Sequence, residues 1–193
     1  MNKGHWKRCF IGLGLAALLL VAACAPPPTP TPTPSPTPTP PLETLTYNNS
    51  AYGFSLEYPK DWEAREEFIA TIVTFVGPVE EATGGAININ IAATQPAESP
   101  EVTLEEYVRL FKLRVKADAE NYEELDEYNT VVDDRVAIVW TYKEDFARTP
   151  LMVTMAFFMK ENVVYAISYG ATPELYYDYL GCFELVLGTF QFD

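Results

Sequence analysis

The sequence predicts an α+β domain, an antiparallel sheet flanked by helices, and three patterns point to it. Phe54, Leu56 and Tyr58 alternate with Ser55 and Glu57, and Ile87, Ile89 and Ile91 alternate with Asn88 and Asn90. That is the two-residue period of a half-buried strand. Leu104, Tyr107, Val108, Phe111 and Val115 recur at helical spacing, and so do Tyr176, Tyr179, Leu180, Phe183 and Leu187.

Taken in order, a turn over residues 50–53 leads into a strand over 54–58, which Pro59 stops, and Trp62 folds back on the core. Residues 69–76 form a second strand ended by Gly77-Pro78, and Gly84-Gly85 opens a third. Thr103 with Glu106 three residues later reads as a capping box, so a helix of three to four turns lays its apolar side on the sheet. An acidic connection follows. Val131-Val132, the turn Asp133-Asp134 and residues 136–142 then make a hairpin, and residues 151–159 and 163–169 make another, turned near 160–162. Thr172-Pro173 opens the last helix, because proline is tolerated in a first turn. Phe190-Gln191-Phe192 closes the chain as a short edge strand.

Ahead of this domain the chain changes character twice. Lys3, Lys7 and Arg8 precede an apolar run over 10–23, the layout of an export signal. Fourteen helical residues reach only about 21 Å, short of a hydrocarbon core of about 30 Å. The run ends Leu20-Val21-Ala22-Ala23-Cys24, which resembles the lipobox of bacterial lipoproteins. The resemblance implies cleavage before Cys24 and a diacylglycerol on its sulfur, hence a lipid-anchored protein on the extracytoplasmic side of a cell membrane. Residues 25–41 are almost all proline alternating with threonine or serine. Such a segment forms polyproline II and extends to roughly 50 Å. The expected division is a signal peptide over 1–23, a lipidated cysteine and linker over 24–41, and one domain over 42–193.

All 27 acidic residues fall in that domain, and 13 basic residues less the three of the leader leave it at −17. This balance opposes nucleic acid; it reads as solubility for a domain tethered near a surface, with a cation or a basic partner as the sharper reading. His5 is the only histidine and departs with the signal, which removes the usual general base and histidine-ligated zinc. Cys182 lies beside the last helical stripe and reads as a packed small hydrophobe. No Gly-x-Ser-x-Gly elbow, P-loop or dinucleotide fingerprint occurs.

Within the domain, Tyr52-Gly53-Phe54-Ser55-Leu56-Glu57-Tyr58-Pro59-Lys60-Asp61-Trp62, Thr103-Leu104-Glu105-Glu106-Tyr107 and the closing Phe190-Gln191-Phe192 resemble the PsbP-like domain, related in fold to the Ran-binding protein Mog1. The likeness covers about residues 46–193. It implies a central antiparallel sheet in an α/β/α sandwich and a role without catalysis. Photosynthetic members assist photosystem II and bind divalent cations, and many bacterial relatives are lipoproteins. The metal-binding histidines of the photosynthetic proteins have no counterpart here.

Carboxylates are the remaining chemistry. Asp133 and Asp134 on a tight turn, with Asp126 and Glu127 before it, are candidate oxygen ligands for Ca²⁺ or Mg²⁺. Paired acids also serve glycoside hydrolysis when they face each other across a cleft, although nothing in the spacing places them so. Tyr177 lies off the buried stripe of the last helix and is a candidate partner contact. So are Asn88 and Asn90 on the wet side of the isoleucine strand. The sequence therefore favours a membrane-tethered, non-enzymatic binding or assembly module with an unidentified, basic protein partner. A divalent-cation or small-ligand carrier is the alternative, and a carboxylate-dependent hydrolase the third reading.

Overall fold

The computed structural model describes residues 42–66, 70–79, 86–96 and 102–193. The leader, Cys24 and the proline-rich linker lie outside the described residues, as do Ile69 and Gly84-Gly85. The compact unit that holds the described residues is Pro40–Asp193.

Ten strands and two helices run in the order β1 (Thr44–Asn49), β2 (Phe54–Pro59), β3 (Glu63–Arg65), β4 (Val73–Val79), β5 (Ala86–Thr94), α1 (Leu104–Asp118), β6 (Glu120–Val132), β7 (Arg135–Phe146), β8 (Thr149–Lys160), β9 (Val163–Ala171), α2 (Tyr176–Thr189) and β10 (Gln191–Phe192) among the described residues. Seven strands form one sheet in the order β3-β4-β5-β9-β8-β7-β6, and β1-β2-β10 form a small second sheet. Every pairing is antiparallel. The fold is the expected α+β architecture, with one difference. The 54–58 strand belongs to the small sheet, because among the described residues β2 pairs with β1 and β10 alone.

The large sheet buries both faces. Against one face, α2 and β2 close a core containing Phe54, Phe75, Ile89, Phe158, Ile167, Tyr169, Phe183 and Phe190. Phe54 stacks on Phe190 at 4.9 Å between ring centroids, which ties the small sheet to the end of α2. Against the other face lies α1, whose Val108 packs with Ile138, Trp140, Tyr142, Phe157 and Val164. Strand β7 serves both sides, with Ala137 and Val139 in the first core and Ile138, Trp140 and Tyr142 in the second. This accounts for its unbroken apolar run, since a strand covered on both faces has no reason to alternate.

The helices start for local reasons. Thr103 caps α1 by accepting a hydrogen bond from the Glu106 backbone N–H at 3.2 Å, while the Glu106 carboxylate is taken by Arg109 at 2.7 Å and 2.9 Å. Helix α2 begins at Tyr176, later than Thr172-Pro173 suggests, because the Thr172 carbonyl first accepts from the N–H groups of Leu175 and Tyr176 in a turn.

Two other expectations are corrected. The acidic connection after α1 is the 13-residue strand β6. It is an edge strand exposed along most of its length, so its sequence carries no apolar alternation, and its charges keep the free edge from pairing with other chains. Gly77-Pro78 does not end β4, which continues to Val79 across a register shift between Val76 and Val79. Proline has no N–H for the ladder, and Gly77 is needed for contact: a Cβ there would lie 2.6 Å from the Trp62 ring. Trp62 is itself 5% exposed, folded onto the core as expected.

Three two-residue hairpin turns set the register of β6 to β9. Asp133-Asp134, Ala147-Arg148 and Glu161-Asn162 all take positive φ, the conformation whose twist matches flanking strands.

Candidate functional site

Where β6 and β7 extend past the cover of α2, the sheet is left with an open hollow of about 660 Å³. Its floor is a run of hydroxyls. Thr141 Oγ1 and Thr154 Oγ1 are 2.8 Å apart, and Thr154 also bonds the Tyr176 hydroxyl. The Tyr169 hydroxyl donates to the Tyr176 carbonyl at 2.8 Å, which fixes the start of α2 against the sheet. Thr154 and Tyr176 are buried and satisfied, so the floor is rigid.

The walls are aromatic and acidic. Tyr128 of β6 is 49% exposed and Tyr177 of α2 is 72% exposed, with Tyr177 edge-on to Tyr176 at 5.2 Å. Asp126 and Glu184 line the same hollow. Burial first, and the negative charges of Glu184 and Asp126 after it, raise the Tyr128 phenol above its ordinary value. Lys143 is the basic member of the lining, and Glu123 sits 3.7 Å from it. The hollow therefore presents two large aromatic surfaces, fixed hydroxyls and uncompensated negative charge.

Of the sequence candidates, Tyr177 and Asp126 come together here. Asn88 and Asn90 do not. They bond each other at 2.8 Å, and Thr74 donates to Asn90 at 2.8 Å, so the pair is part of a side-chain ladder across β4 and β5. The four carboxylates considered for a divalent cation are also dispersed. Asp133 is engaged by Arg135, and Glu127 turns toward α1, where Lys112 meets it at 2.5 Å and also meets Glu124. Asp126, next in sequence to Glu127, lines the α2 side because successive strand residues point to opposite faces. Among the described residues no group of three or more His, Cys, Asp or Glu is placed to hold a metal.

Sequence reasoning missed Tyr128, Glu184, Thr141 and Thr154. Tyr128 was hidden by reading its segment as a loop; as a strand, its two-residue offset from Asp126 puts both on one side. Cys182 is 9% exposed, and burial raises its thiol, so it packs rather than reacts.

The solution structure of cyanobacterial PsbP from Synechocystis sp. PCC 6803 is similar at TM-score 0.53 and 13% identity, covering 84% of this chain and all (100%) of that one. LpqN of Mycobacterium tuberculosis, described as involved in cell envelope biogenesis, gives TM-score 0.56 and 10% identity over 78% of this chain and 90% of its own. The Saccharomyces cerevisiae Ran-binding protein Mog1p gives TM-score 0.51 and 11% identity over 78% and 96%. Identities this low establish a shared fold. No curated protein matches the sequence. The model of the family described as PsbP-like protein matches residues 37–192, most of the chain, and the chain therefore belongs to the PsbP-like family.

Proposed function

We propose that the chain is a non-enzymatic binding or assembly module, held by lipid on Cys24 at the extracytoplasmic side of a cell membrane, which docks a basic segment of a protein partner in the tyrosine-lined hollow. The observation that carries this reading is the exposure of Tyr128 and Tyr177 beside Asp126 and Glu184. Tyrosine supplies wide contact area with a polar tip at low entropic cost and is enriched in interfaces, and the acids select the sign of the partner. The net charge of −17 outside the leader would steer a basic surface in. An envelope setting agrees with the lipobox at 20–24 and is the one named for LpqN.

The cation-carrier alternative is weakened because Arg135 and Lys112 occupy two of its four carboxylates. The hydrolase reading needs acids that converge on a substrate, whereas Glu124 and Glu127 converge on Lys112.

The test is capture of membrane proteins by the tethered chain, wild type against the pair Tyr128→Ala and Tyr177→Ala, at about 0.05 M and about 0.5 M salt. The expected result is a partner with a basic segment, retained at low salt and lost both in the double variant and at high salt. Retention indifferent to both changes would refute docking at the hollow. Cys24→Ala should separately remove the lipid mass and the membrane association; a wild-type chain without lipid would refute the tether.

A further inference from the structure

We propose that a second cleft, between the C-terminal turns of α1 and the β7–β8 hairpin, binds a small organic ammonium ion. It lies on the α1 side of the sheet, away from the hollow, and has a volume of about 740 Å³. Three features converge in it. Tyr142 is 5% exposed, yet its hydroxyl makes no hydrogen bond among the described residues. The hydroxyl is not sealed off either, because the enclosed polar atom without a partner among the described residues is Trp140 Nε1. Glu144, two residues along β7 and on the same side, is half-buried in the same lining, and it has neither a cation nor a hydrogen-bond donor among the described residues. Phe111 and Phe146 complete the walls, Phe146 with 67% exposure at the mouth.

An unpaired carboxylate, a free phenol oxygen and aromatic rings in one concavity are the elements that recognise an ammonium group. The carboxylate supplies a charge-assisted hydrogen bond, the phenol a second acceptor, and the ring faces a cation–π attraction. A divalent metal would lack ligands here, since among the described residues no three acids, those of this lining included, stand close enough together to hold one. An anion would meet Glu144 directly. The charged residues of the rim are Arg114 and Asp118 of α1, 3.9 Å apart, Glu120 of β6, and Asp145 and Arg148 at the hairpin; Asp145 accepts from Asn121 at 2.6 Å. The rim acids outnumber the rim arginines, which leaves the mouth attractive to a cation.

The chemistry of Glu144 agrees with this geometry. Burial holds its carboxyl above the usual carboxylate range, which is the state of an acid awaiting a counter-ion. A group raised in this way burdens the folded state once pH rises through its pKa, so Glu144→Gln should keep or raise the melting temperature at neutral pH.

The experiment is titration of the full chain with phenethylammonium and benzylammonium against neutral phenylethanol, followed by calorimetry and by the shift of the Phe146 amide resonance. The expected result is saturable binding of the ammonium probes alone, weakened about tenfold to a hundredfold by Glu144→Gln and about threefold by Tyr142→Phe. Affinity should also fall as acid protonates Glu144. Equal binding of phenylethanol, unchanged affinity in folded Glu144→Gln, or absence of saturable binding by either ammonium probe would each overturn the proposal. Tyr142→Phe preserves the ring and provides the same reading should the Gln variant fold poorly.

Discussion

The two faces of the large sheet are built to different standards. On the α2 side the core is closed: Phe54, Phe75, Phe158, Tyr169, Phe183 and Phe190 are all at most 2% exposed, and Thr154, Tyr169 and Tyr176 have their hydroxyls bonded. On the α1 side the same sheet carries polar groups that lack a protein partner among the described residues. Among the described residues Trp140 Nε1 is enclosed without a partner, the Tyr142 hydroxyl accepts and donates no hydrogen bond, and Glu144 has no counter-ion. The difference teaches where stability and where recognition reside. Dense apolar packing with satisfied hydroxyls holds the fold, whereas polar groups left without a protein partner in a cleft remain available to a ligand.

The largest expected effect tests the closed side. Trp62→Ala removes a side chain 5% exposed that lies against Gly77 and near Tyr179, and should cost about 3–5 kcal/mol in chemical denaturation. Phe111→Ala, half-buried on the side of α1 that meets Phe157 of the sheet, should cost about 1–2 kcal/mol. Equal costs would erase the contrast between the faces.

A smaller effect concerns acid. Lys112 is half-buried between Glu124 and Glu127 and lies 5.4 Å over the Trp140 ring. Its hydrogen bond, together with its charge, outweighs burial and holds the Glu124 carboxyl below the usual range. A lowered acid stabilises the folded state above its unfolded pKa, and that stability is lost as pH falls through the folded value. Melting temperature should therefore drop on acidification below about pH 4.3, less steeply in Lys112→Met, with a difference under about 1 kcal/mol since Glu124 is part-exposed. A variant as acid-sensitive as wild type would show the clamp to be idle.

Trp140→Phe should be nearly neutral. It opens a small void but removes an enclosed N–H that has no partner among the described residues, and the two changes should cancel to within about 1 kcal/mol. A large loss would mean that the indole nitrogen is satisfied after all, with the Tyr122 hydroxyl as the nearby acceptor. The smallest effect is at the hairpin turn. Ala147 holds φ of +50°, and Ala147→Gly should add about 0.5 kcal/mol, the relief of the left-handed strain exceeding the extra chain entropy slightly.

How much of this was legible depended on burial. Ile87, Ile89 and Ile91, the α1 stripe and the Asp133-Asp134 turn declared themselves because apolar spacing and turn chemistry are local signals. Strand β6 did not, because an exposed acidic edge has no face to bury, and its strand nature comes from pairing with β7. Strand β1 was equally silent, with Tyr47 its one buried residue. At the candidate site, Tyr177 stood out by lying off a helical stripe. Tyr128 and Glu184 became neighbours only because α2 and β6 border the same hollow, and no sequence period encodes that distance. Glu144 looks like any strand-end acid until α1 and the hairpin partly enclose it.

The most direct test of the central reading, a partner docked in the hollow, is photocrosslinking from the tethered chain in its native membrane. A photoreactive phenylalanine in place of Tyr177, 72% exposed at the hollow, is compared with one in place of Leu113, 53% exposed on α1. The account predicts a discrete crosslinked partner from position 177 that fades with added salt, and none from position 113. Crosslinks of equal yield from both positions, or none from 177, would contradict it.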